Sequence, residues 1–354
     1  MDNNDTAPSY ILNQFDSTHY TLIEKIGEGG FAQVFKAVQT STKNWVAIKF
    51  LVLDEGLQAD KKRRYVERFN RETDLVRRLN HPSIVQLIDK GQQNDNLLYA
   101  VYEYIEGQTL KDYLSNHGAI LPELAAEIMV TVLDALAHAH QKGVIHRDIK
   151  PANIMLYQVG MKTHVKVLDF GIGALQGNVR QLDYKSITLT QEALGTPSYS
   201  APEQLRGEPP IPQTDIYVWG LVFLECLTGK PAISGNSIAA IFHQQLSPAN
   251  VPQSVLAGHE SASLMRRVLN KKSIERPADT IELYKHFNKL NFANLNKSAV
   301  KAPRSALSID QETQVTQLNE NHLSFTRLTE HKQITVLAVI ISVKEEGESH
   351  NANQ

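Results

Sequence analysis

The sequence contains almost no cysteine and no excess of charge of either sign. Cys226 is the only cysteine in 354 residues, which excludes an intramolecular disulfide and a cysteine-rich zinc site. The 36 Lys and Arg residues nearly balance the 38 Asp and Glu residues, so no bulk cationic field can hold nucleic acid or an anionic membrane. We therefore expect a protein of a reducing compartment that binds any polyanion only at a local site.

A long apolar run and a secretory leader are also missing. The longest apolar run, Ile334 to Val343, is far shorter than the ~20 residues that a membrane-spanning helix needs. The first residues lack the basic and apolar regions of a signal peptide. These absences predict a soluble, cytoplasmic protein that has neither nucleic acid nor a membrane as a partner.

Shifts in composition divide the chain into one predicted domain with polar segments on both sides. Residues 1–18 are polar and predict a flexible leader. The domain spans residues 19–290, and residues 291–332 predict a polar linker. Residues 333–344 predict an isolated apolar strand, followed by a tail at 345–354. A lone strand leaves its backbone groups unpaired, which favours its addition to the edge of this domain's own sheet or of a partner's sheet.

Two kinds of periodicity distinguish two lobes within the domain. Alternating segments in residues 19–106 predict an antiparallel sheet of about five strands, and residues 60–79 predict one amphipathic helix. Helical spacing dominates residues 107–290, where one long helix is predicted from Pro122 to Gln141. The predicted fold class is α+β, with an N-terminal antiparallel sheet lobe that has one main helix and a mostly α-helical C-terminal lobe.

The first candidate binding site is a glycine-rich turn, GEGGFAQV at residues 27–34, between the first two predicted strands. Glycines let a backbone approach a phosphate closely, so that amide N–H groups donate to the anion. An ordinary hairpin turn explains the same pattern equally well.

A lysine in an apolar strand is the second candidate. Lys49 lies in the segment Val46–Lys49, where its charge is costly unless an anion meets it. Glu67 and Glu72 on the following helix are about 140° apart around its axis, so they cannot face the same way. Glu72 shares the inward stripe of Phe69 and is the predicted partner of Lys49, whereas Glu67 is the solvated alternative.

Two polar strings in the second lobe give the most specific signal. The first is HRDIKPAN at residues 146–153, and DFG follows at residues 169–171. Two such strings in this order and spacing do not arise by accident. Together with GTP at 195–197 and APE at 201–203, they resemble the eukaryotic-type (Hanks-type) Ser/Thr protein kinases, most closely the form found in bacteria.

The resemblance implies a bilobal protein kinase fold with ATP bound between the lobes. The residues that it implies around the adenine are Val34, Ala47, Glu103, Ile105 and Met155. Those implied around the phosphates in the glycine-rich turn are Gly27, Gly29, Gly30 and Ala32. Ala32 replaces the third glycine of the family's turn; because a methyl group leaves the amides available, we expect activity to be retained.

The resemblance also implies which residues hold the phosphates and the metal. Lys49, held by Glu72, would grip the α- and β-phosphates. Asn153 and Asp169 would coordinate Mg²⁺, with Mn²⁺ as the alternative ion, because hard cations prefer carboxylate and amide oxygens. The segment between Lys49 and Glu72 is longer than the family pattern, which leaves the identity of the pairing glutamate open.

Catalysis and the choice of acceptor follow from the same resemblance. Asp148 would orient the proton of the acceptor hydroxyl, and Lys150 would neutralise charge on the transferred phosphoryl group. Lys150 after Asp148 and Thr196 in the GTP string are both the Ser/Thr form, so protein serine and threonine hydroxyls are the expected acceptors.

The segment after DFG predicts regulation by phosphorylation. Thr188 and Thr190 are similar in position to paired loop threonines of bacterial relatives, and Arg147 would receive the phosphate. The hypothesis is that the protein phosphorylates itself there, with self-association of two copies as one route. Solvated loop hydroxyls are the alternative explanation.

Two other functions remain as alternatives. A catalytically inert pseudokinase would serve as a scaffold, but Lys49, Asp148 and Asp169 are all retained. Residues 330–337 are similar to the opening strand of class III nucleotide cyclase domains, although Ile340 occupies the place of the expected metal-binding aspartate.

Overall fold

A computed structural model describes residues 11, 15, 17–29, 32–53, 56–170 and 197–295. Gly30, Thr188 and Thr190 lie outside the described residues, as do the predicted strand at 333–344 and the tail at 345–354. In the described ranges, no helix is both long enough and apolar enough to cross a membrane.

The predicted sheet of the first lobe is confirmed. Five antiparallel strands lie in the order β1-β2-β3-β5-β4. Their bounds are β1 Tyr20–Gly29, β2 Ala32–Gln39, β3 Trp45–Val52, β4 Leu87–Gln93 and β5 Leu97–Glu103. Alternate side chains point to opposite faces of such a sheet, so β3 can bury Ile48 on one face and offer Lys49 to the other.

The main helix that the structure describes in this lobe, α1, spans Ala59–Val76. Phe69 and Val76 are buried on its inward stripe, and Leu79 is buried just beyond its end. The helix ends before the predicted residue 79 because Arg77 to Leu79 form a turn. The stripe brings Glu72 to the side of the helix that packs inward.

The second lobe is mostly helical. The helices that the structure describes there are α2 Leu110–His117, α3 Pro122–Gln141, α4 Pro202–Leu205, α5 Pro212–Thr228, α6 Ile238–Leu246, α7 Ser261–Val268 and α8 Thr280–Phe287. Its strands, β6 Gln108–Thr109, β7 Ile154–Val159 and β8 Lys162–Val167, form a small sheet. Helix α5 is buried almost all round, as its apolar composition requires, and Trp219 on it donates to the Met129 carbonyl of α3 across 2.8 Å.

Backbone hydrogen bonds join the two lobes beside β8. Val85 N–H donates to the Val167 carbonyl at 3.0 Å, and Val167 N–H donates to the Ser83 carbonyl at 2.9 Å. Asp169 follows β8 by two residues, so these bonds fix its backbone relative to the sheet of the first lobe.

Buried side chains lie on both sides of the predicted domain, residues 19–290. Ile11 and Phe15 lie in the segment predicted as a leader, yet they are buried, and the Phe15 ring packs edge-on against Phe50. Phe292 and Leu295 lie beyond the predicted end at residue 290 and are also buried. Apolar side chains from both flanking segments therefore extend the core past residues 19–290.

Candidate active site

Lys49 and Asp169 form the ion pair at the centre of the site. The Lys49 side chain, which is 9% exposed, places Nζ 2.8 Å from Asp169 Oδ1. Asp169 has a φ of 59°, a left-handed conformation that non-glycine residues rarely adopt. Burial alone would raise the pKa of Asp169, but the charge and hydrogen bond of Lys49 more than offset this, so its pKa is lowered. Asp169 is therefore held as a carboxylate.

The predicted Lys49–Glu72 ion pair is wrong for this conformation. Glu72 Oε1 instead lies 3.0 Å from Arg68 Nε, one helical turn away. Glu72 Oε2 is buried and has no hydrogen-bond partner among the residues that the structure describes. Burial raises the pKa of Glu72, and Arg68 offsets only part of this increase. Lys49 therefore pairs with Asp169, and Glu72 pairs instead with Arg68, which lies four residues before it on the same helix.

The catalytic loop brings three predicted side chains together. Asp148 Oδ2 lies 2.7 Å from Lys150 Nζ and accepts a hydrogen bond from Asn153 Nδ2 at 3.1 Å. Asn153 Nδ2 also donates to the Asp148 carbonyl at 2.7 Å. The Asp148 side chain remains 23% exposed, so an acceptor hydroxyl can reach it. These contacts fix the orientation of the Asp148 carboxylate and keep the Lys150 ammonium beside it.

Asp215 on α5 holds the backbone of the catalytic loop in place. Its carboxylate accepts hydrogen bonds from the amides of His146 at 2.8 Å and Arg147 at 2.9 Å. Arg147 has a φ of 71°, so these bonds stabilise a backbone conformation that is otherwise unfavourable. Burial alone would raise the pKa of Asp215, but the hydrogen bond from His140 and its charge lower it overall.

Asn153 and Asp169 fit a divalent cation by the chemistry of their free atoms. Both hydrogen bonds of the Asn153 side chain use its nitrogen, which leaves the amide oxygen for a metal. Asp169 uses Oδ1 for Lys49, and its side chain is 35% exposed. Within the described ranges, no group of three or more His, Cys, Asp or Glu side chains could hold a metal ion. A cation here would therefore need oxygen ligands from a phosphate as well.

The predicted adenine residues come from both lobes. Val34 and Ala47 on the upper sheet and Met155 on β7 are each half-buried. The Glu103 amide donates to the Gln86 carbonyl at 3.1 Å, whereas the Ile105 amide has no hydrogen-bond partner in the described part of the chain. Ile105 can therefore donate to a ligand.

The glycine-rich turn is the end of the β1–β2 hairpin. Gly27 pairs with Val34, and Gly29 pairs with Ala32. Ala32 is buried on β2, so its methyl group is accommodated in the sheet.

Sequence reasoning missed two residues of the site. Lys166 on β8 forms an ion pair with Glu103 across the lobes. A lysine between the apolar residues Val165 and Val167 was a signal of the same kind as Lys49. The second residue is His140 on α3, whose Nε2 lies 2.7 Å from Asp215 Oδ2. That contact depends on a residue distant in sequence, so local spacing carried no signal for it.

Comparison with known proteins agrees with this geometry. The family model for the protein kinase domain matches residues 20–287. The chain is 39% identical over 245 residues to a probable serine/threonine-protein kinase PknB of Bifidobacterium longum, covering 66% of this chain and 34% of that protein. It is 38% identical over 248 residues to serine/threonine-protein kinase PrkC of Bacillus subtilis, covering 68% of this chain and 36% of that protein. The predicted resemblance to bacterial Ser/Thr kinases is confirmed.

A solved structure shows the same fold. The crystal structure of the Mycobacterium tuberculosis PknI kinase domain, a double mutant, superposes with a TM-score of 0.55 at 23% identity. The alignment covers 78% of this chain and 97% of that one, which confirms the predicted bilobal α+β fold. The chain spans only about a third of the length of the PknB and PrkC relatives.

Proposed function

Because this chain belongs to the protein kinase domain family, we propose that it transfers the γ-phosphoryl group of ATP to serine and threonine hydroxyls of proteins. The family as a whole uses ATP and a divalent cation. The observation that carries the proposal is that the Leu168 amide donates to the Asn153 carbonyl at 2.8 Å, which places the Lys49–Asp169 pair beside the Asp148–Asn153 pair. The names of the bacterial relatives support serine and threonine as acceptors.

The residues of the site divide the work of phosphoryl transfer. Asp148 orients the acceptor hydroxyl and receives its proton, while Lys150 stabilises negative charge on the transferred group. Asn153 and Asp169 would hold Mg²⁺, with Mn²⁺ as the alternative, and the ion would neutralise phosphate charge. The protein mainly supplies position and countercharge, because the transition state is loose and anionic.

The active conformation requires Lys49 to change partners. Lys49 must leave Asp169 in order to grip the phosphates, and Glu72 is the carboxylate that then holds it. Two observations support this exchange: Glu72 lies on the inward stripe of α1, and its Oε2 is buried without a partner in the described part of the chain. Its pair with Arg68 is an (i, i+4) contact of small energy, so it is easily broken.

Phosphorylation of Thr188 and Thr190 by the protein itself is the proposed activation step. The support is Arg147, whose Nε is buried and has no hydrogen-bond partner in the described ranges. A phosphate would provide that partner through a charge-assisted hydrogen bond. Two copies of the chain would associate transiently so that each phosphorylates the other. We place this activity in the cytoplasm, because its donor substrate is ATP.

The test is Mg²⁺-dependent transfer of labelled phosphate from ATP to a generic basic protein. We expect transfer to serine and threonine by the wild-type chain, and a loss of about 10³-fold in the Asp148→Asn variant. Mass spectrometry should find phosphate on Thr188 and Thr190 of the wild type and none on that variant. ATP binding without turnover would instead establish the chain as a scaffold.

A further inference from the structure

The segment Pro197–Ala201, called here the acceptor platform, lies directly against the catalytic loop. Gln204 of α4 accepts from the Ala201 amide at 2.9 Å and donates through Nε2 to the Arg147 carbonyl at 2.8 Å. Arg147 immediately precedes Asp148. Gln204 therefore links the acceptor platform to the residue that precedes the catalytic Asp148, so a shift of the platform acts on the loop that carries this carboxylate.

A buried glutamine of α6 supports the platform from below. Gln245 is fully buried, and its Nε2 donates to the Ser198 carbonyl at 3.1 Å. Its Oε1 accepts from the Tyr217 hydroxyl of α5 at 2.6 Å. Ser198 is itself buried, so its carbonyl depends on a protein donor rather than on bulk solvent.

A lysine fixes the direction of this amide. Lys271 Nζ donates to the Tyr217 hydroxyl at 2.9 Å and lies 3.5 Å from Gln245 Oε1. It also donates to the backbone carbonyl of Gln244 at 3.0 Å. Both groups beside Gln245 Oε1 are donors, so the amide nitrogen must face Ser198. The Tyr217 ring is in turn held under the Arg276 guanidinium at 4.7 Å.

We propose that Gln245 is a positioning residue for the protein substrate. It holds the acceptor platform in the position that aligns the substrate hydroxyl with Asp148. Tyr217 and Lys271 in turn orient the side-chain amide of Gln245. The inference rests on the proposed kinase function. An acceptor hydroxyl displaced by about 1 Å loses much of its reactivity, so support of the platform affects transfer to protein. Attack by water on ATP needs no platform and should not depend on Gln245.

The sharpest variant is Gln245→Glu. A carboxylate keeps an acceptor for Tyr217 and Lys271, removes the donor to the Ser198 carbonyl, and adds a negative charge beside the Lys271 ammonium. The matched control is Gln244→Glu, the same substitution on the next residue of α6. Gln244 is exposed, and its side chain donates to the Ser234 carbonyl, away from the platform. Tyr217→Phe is a second test, because it removes one hydroxyl group that orients the Gln245 amide. If Gln245→Glu does not fold, Tyr217→Phe tests the proposal in its place.

The measurements are steady-state kinetics with a protein acceptor, ATP hydrolysis without acceptor, and thermal denaturation. We expect Gln245→Glu to lower kcat/KM for the acceptor about tenfold, with the KM for ATP and the hydrolysis rate within about twofold of wild type. Tyr217→Phe should change the same parameter in the same direction by a smaller factor. Gln244→Glu should match the wild type in all of them.

Unchanged kcat/KM for the acceptor in Gln245→Glu would overturn the proposal. An equal loss of transfer and hydrolysis would also overturn it, because that result indicates general damage to the fold. If the wild type itself transfers no phosphate, the proposed kinase function fails and the inference falls with it; a wild type that is active beside an unaffected variant refutes the inference alone.

Discussion

Lys49 Nζ lies 2.8 Å from Asp169 Oδ1, so the lysine of β3 neutralises the carboxylate after β8 rather than one on α1. The pair joins the two lobes through a contact that is mostly buried. Its consequence is that Glu72 has no lysine partner in the described part of the chain and turns to Arg68. In the proposed mechanism the Lys49–Glu72 pair is gained during catalysis, so its energy should appear in the rate and not in the stability.

The first prediction separates these two quantities with Glu72→Gln. We expect kcat for protein phosphorylation to fall about 10²-fold, since the lysine loses its charged support in the transition state. The free energy of unfolding should change by less than about 1 kcal/mol, because the Arg68 pair is worth little and burial already penalises the charge. Urea denaturation and initial rates measure the two effects.

Glu67→Gln is the control on the same helix. Glu67 is exposed and lies 3.9 Å from Arg63, so its loss should leave both kcat and stability unchanged. A Glu72→Gln variant with the rate of wild type would show that Lys49 works without this glutamate.

The second prediction concerns Asp215. Asp215→Asn keeps the shape of the side chain but turns one oxygen into a donor that faces the N–H of His146 or Arg147. We expect a loss of about 3 kcal/mol in the free energy of unfolding, since a buried donor is left unsatisfied. Chemical denaturation at neutral pH measures this loss.

The pH dependence of that loss follows from the lowered pKa of Asp215. A depressed pKa in the folded state contributes stability above the ordinary value of 3.8, and this contribution disappears as the pH falls through the folded pKa. The wild type and Asp215→Asn should therefore converge in stability at acid pH. A difference in unfolding free energy between the two proteins that stays constant down to acid pH would contradict the hydrogen bonds assigned to Asp215.

The sequence predicted those parts of the site that depend on local strings. Lys49, Asp148, Asn153 and Asp169 were identifiable because each stands in a fixed motif that a loop or strand presents whole. The partner of Lys49 was not identifiable from the sequence. Two carboxylates, Glu72 of the first lobe and Asp169 of the second, compete for this lysine, and only the packing of α1 decides between them.

The burial of residues outside 19–290 was not predictable from the sequence for a related reason. Ile11 and Phe15 are single apolar residues in a polar segment, so they give no periodic signal. They become core residues because the outer face of the sheet exposes Phe50, a large apolar surface that needs cover. That face exists only after β3 has paired with β2 and β5, which no local window reveals.

The third prediction uses the buried ion pair of the second lobe. Both terminal nitrogens of Arg276 contact the Glu203 carboxylate, at 2.7 and 2.9 Å, and both residues are buried. Arg276→Met should lower the free energy of unfolding by about 3–5 kcal/mol, because it leaves a buried carboxylate without its cation. Thermal or urea denaturation measures the change.

The double variant Arg276→Met, Glu203→Leu tests whether the unpaired buried carboxylate of Glu203 causes this loss of stability. Since it removes both charges, it should be more stable than Arg276→Met alone. A double variant with the summed loss of its two single variants would mean that the two residues do not interact.

The buried carboxylate Glu225 on α5 has no cation partner among the described residues, and it carries the fourth prediction. The Tyr199 hydroxyl of the acceptor platform donates to Glu225 Oε2 at 2.7 Å. Burial raises the pKa of Glu225 from 4.5 to about 7, and the hydrogen bond from Tyr199 offsets only part of the increase. The folded protein thus binds one more proton than the unfolded chain at pH values between these two.

Stability from this proton is complete below pH 4.5 and is lost as the pH rises through the folded pKa of about 7. Glu225→Gln keeps an acceptor for Tyr199 but cannot ionise, so it should gain on the wild type by about 1.4 kcal/mol per pH unit across that interval. The gain should level off above it, at about 3 kcal/mol in total. Urea denaturation of both proteins at about pH 5, 6, 7 and 8 measures the difference. A difference that does not vary with pH would show that the carboxyl group of Glu225 ionises in its ordinary range and that its burial carries no penalty.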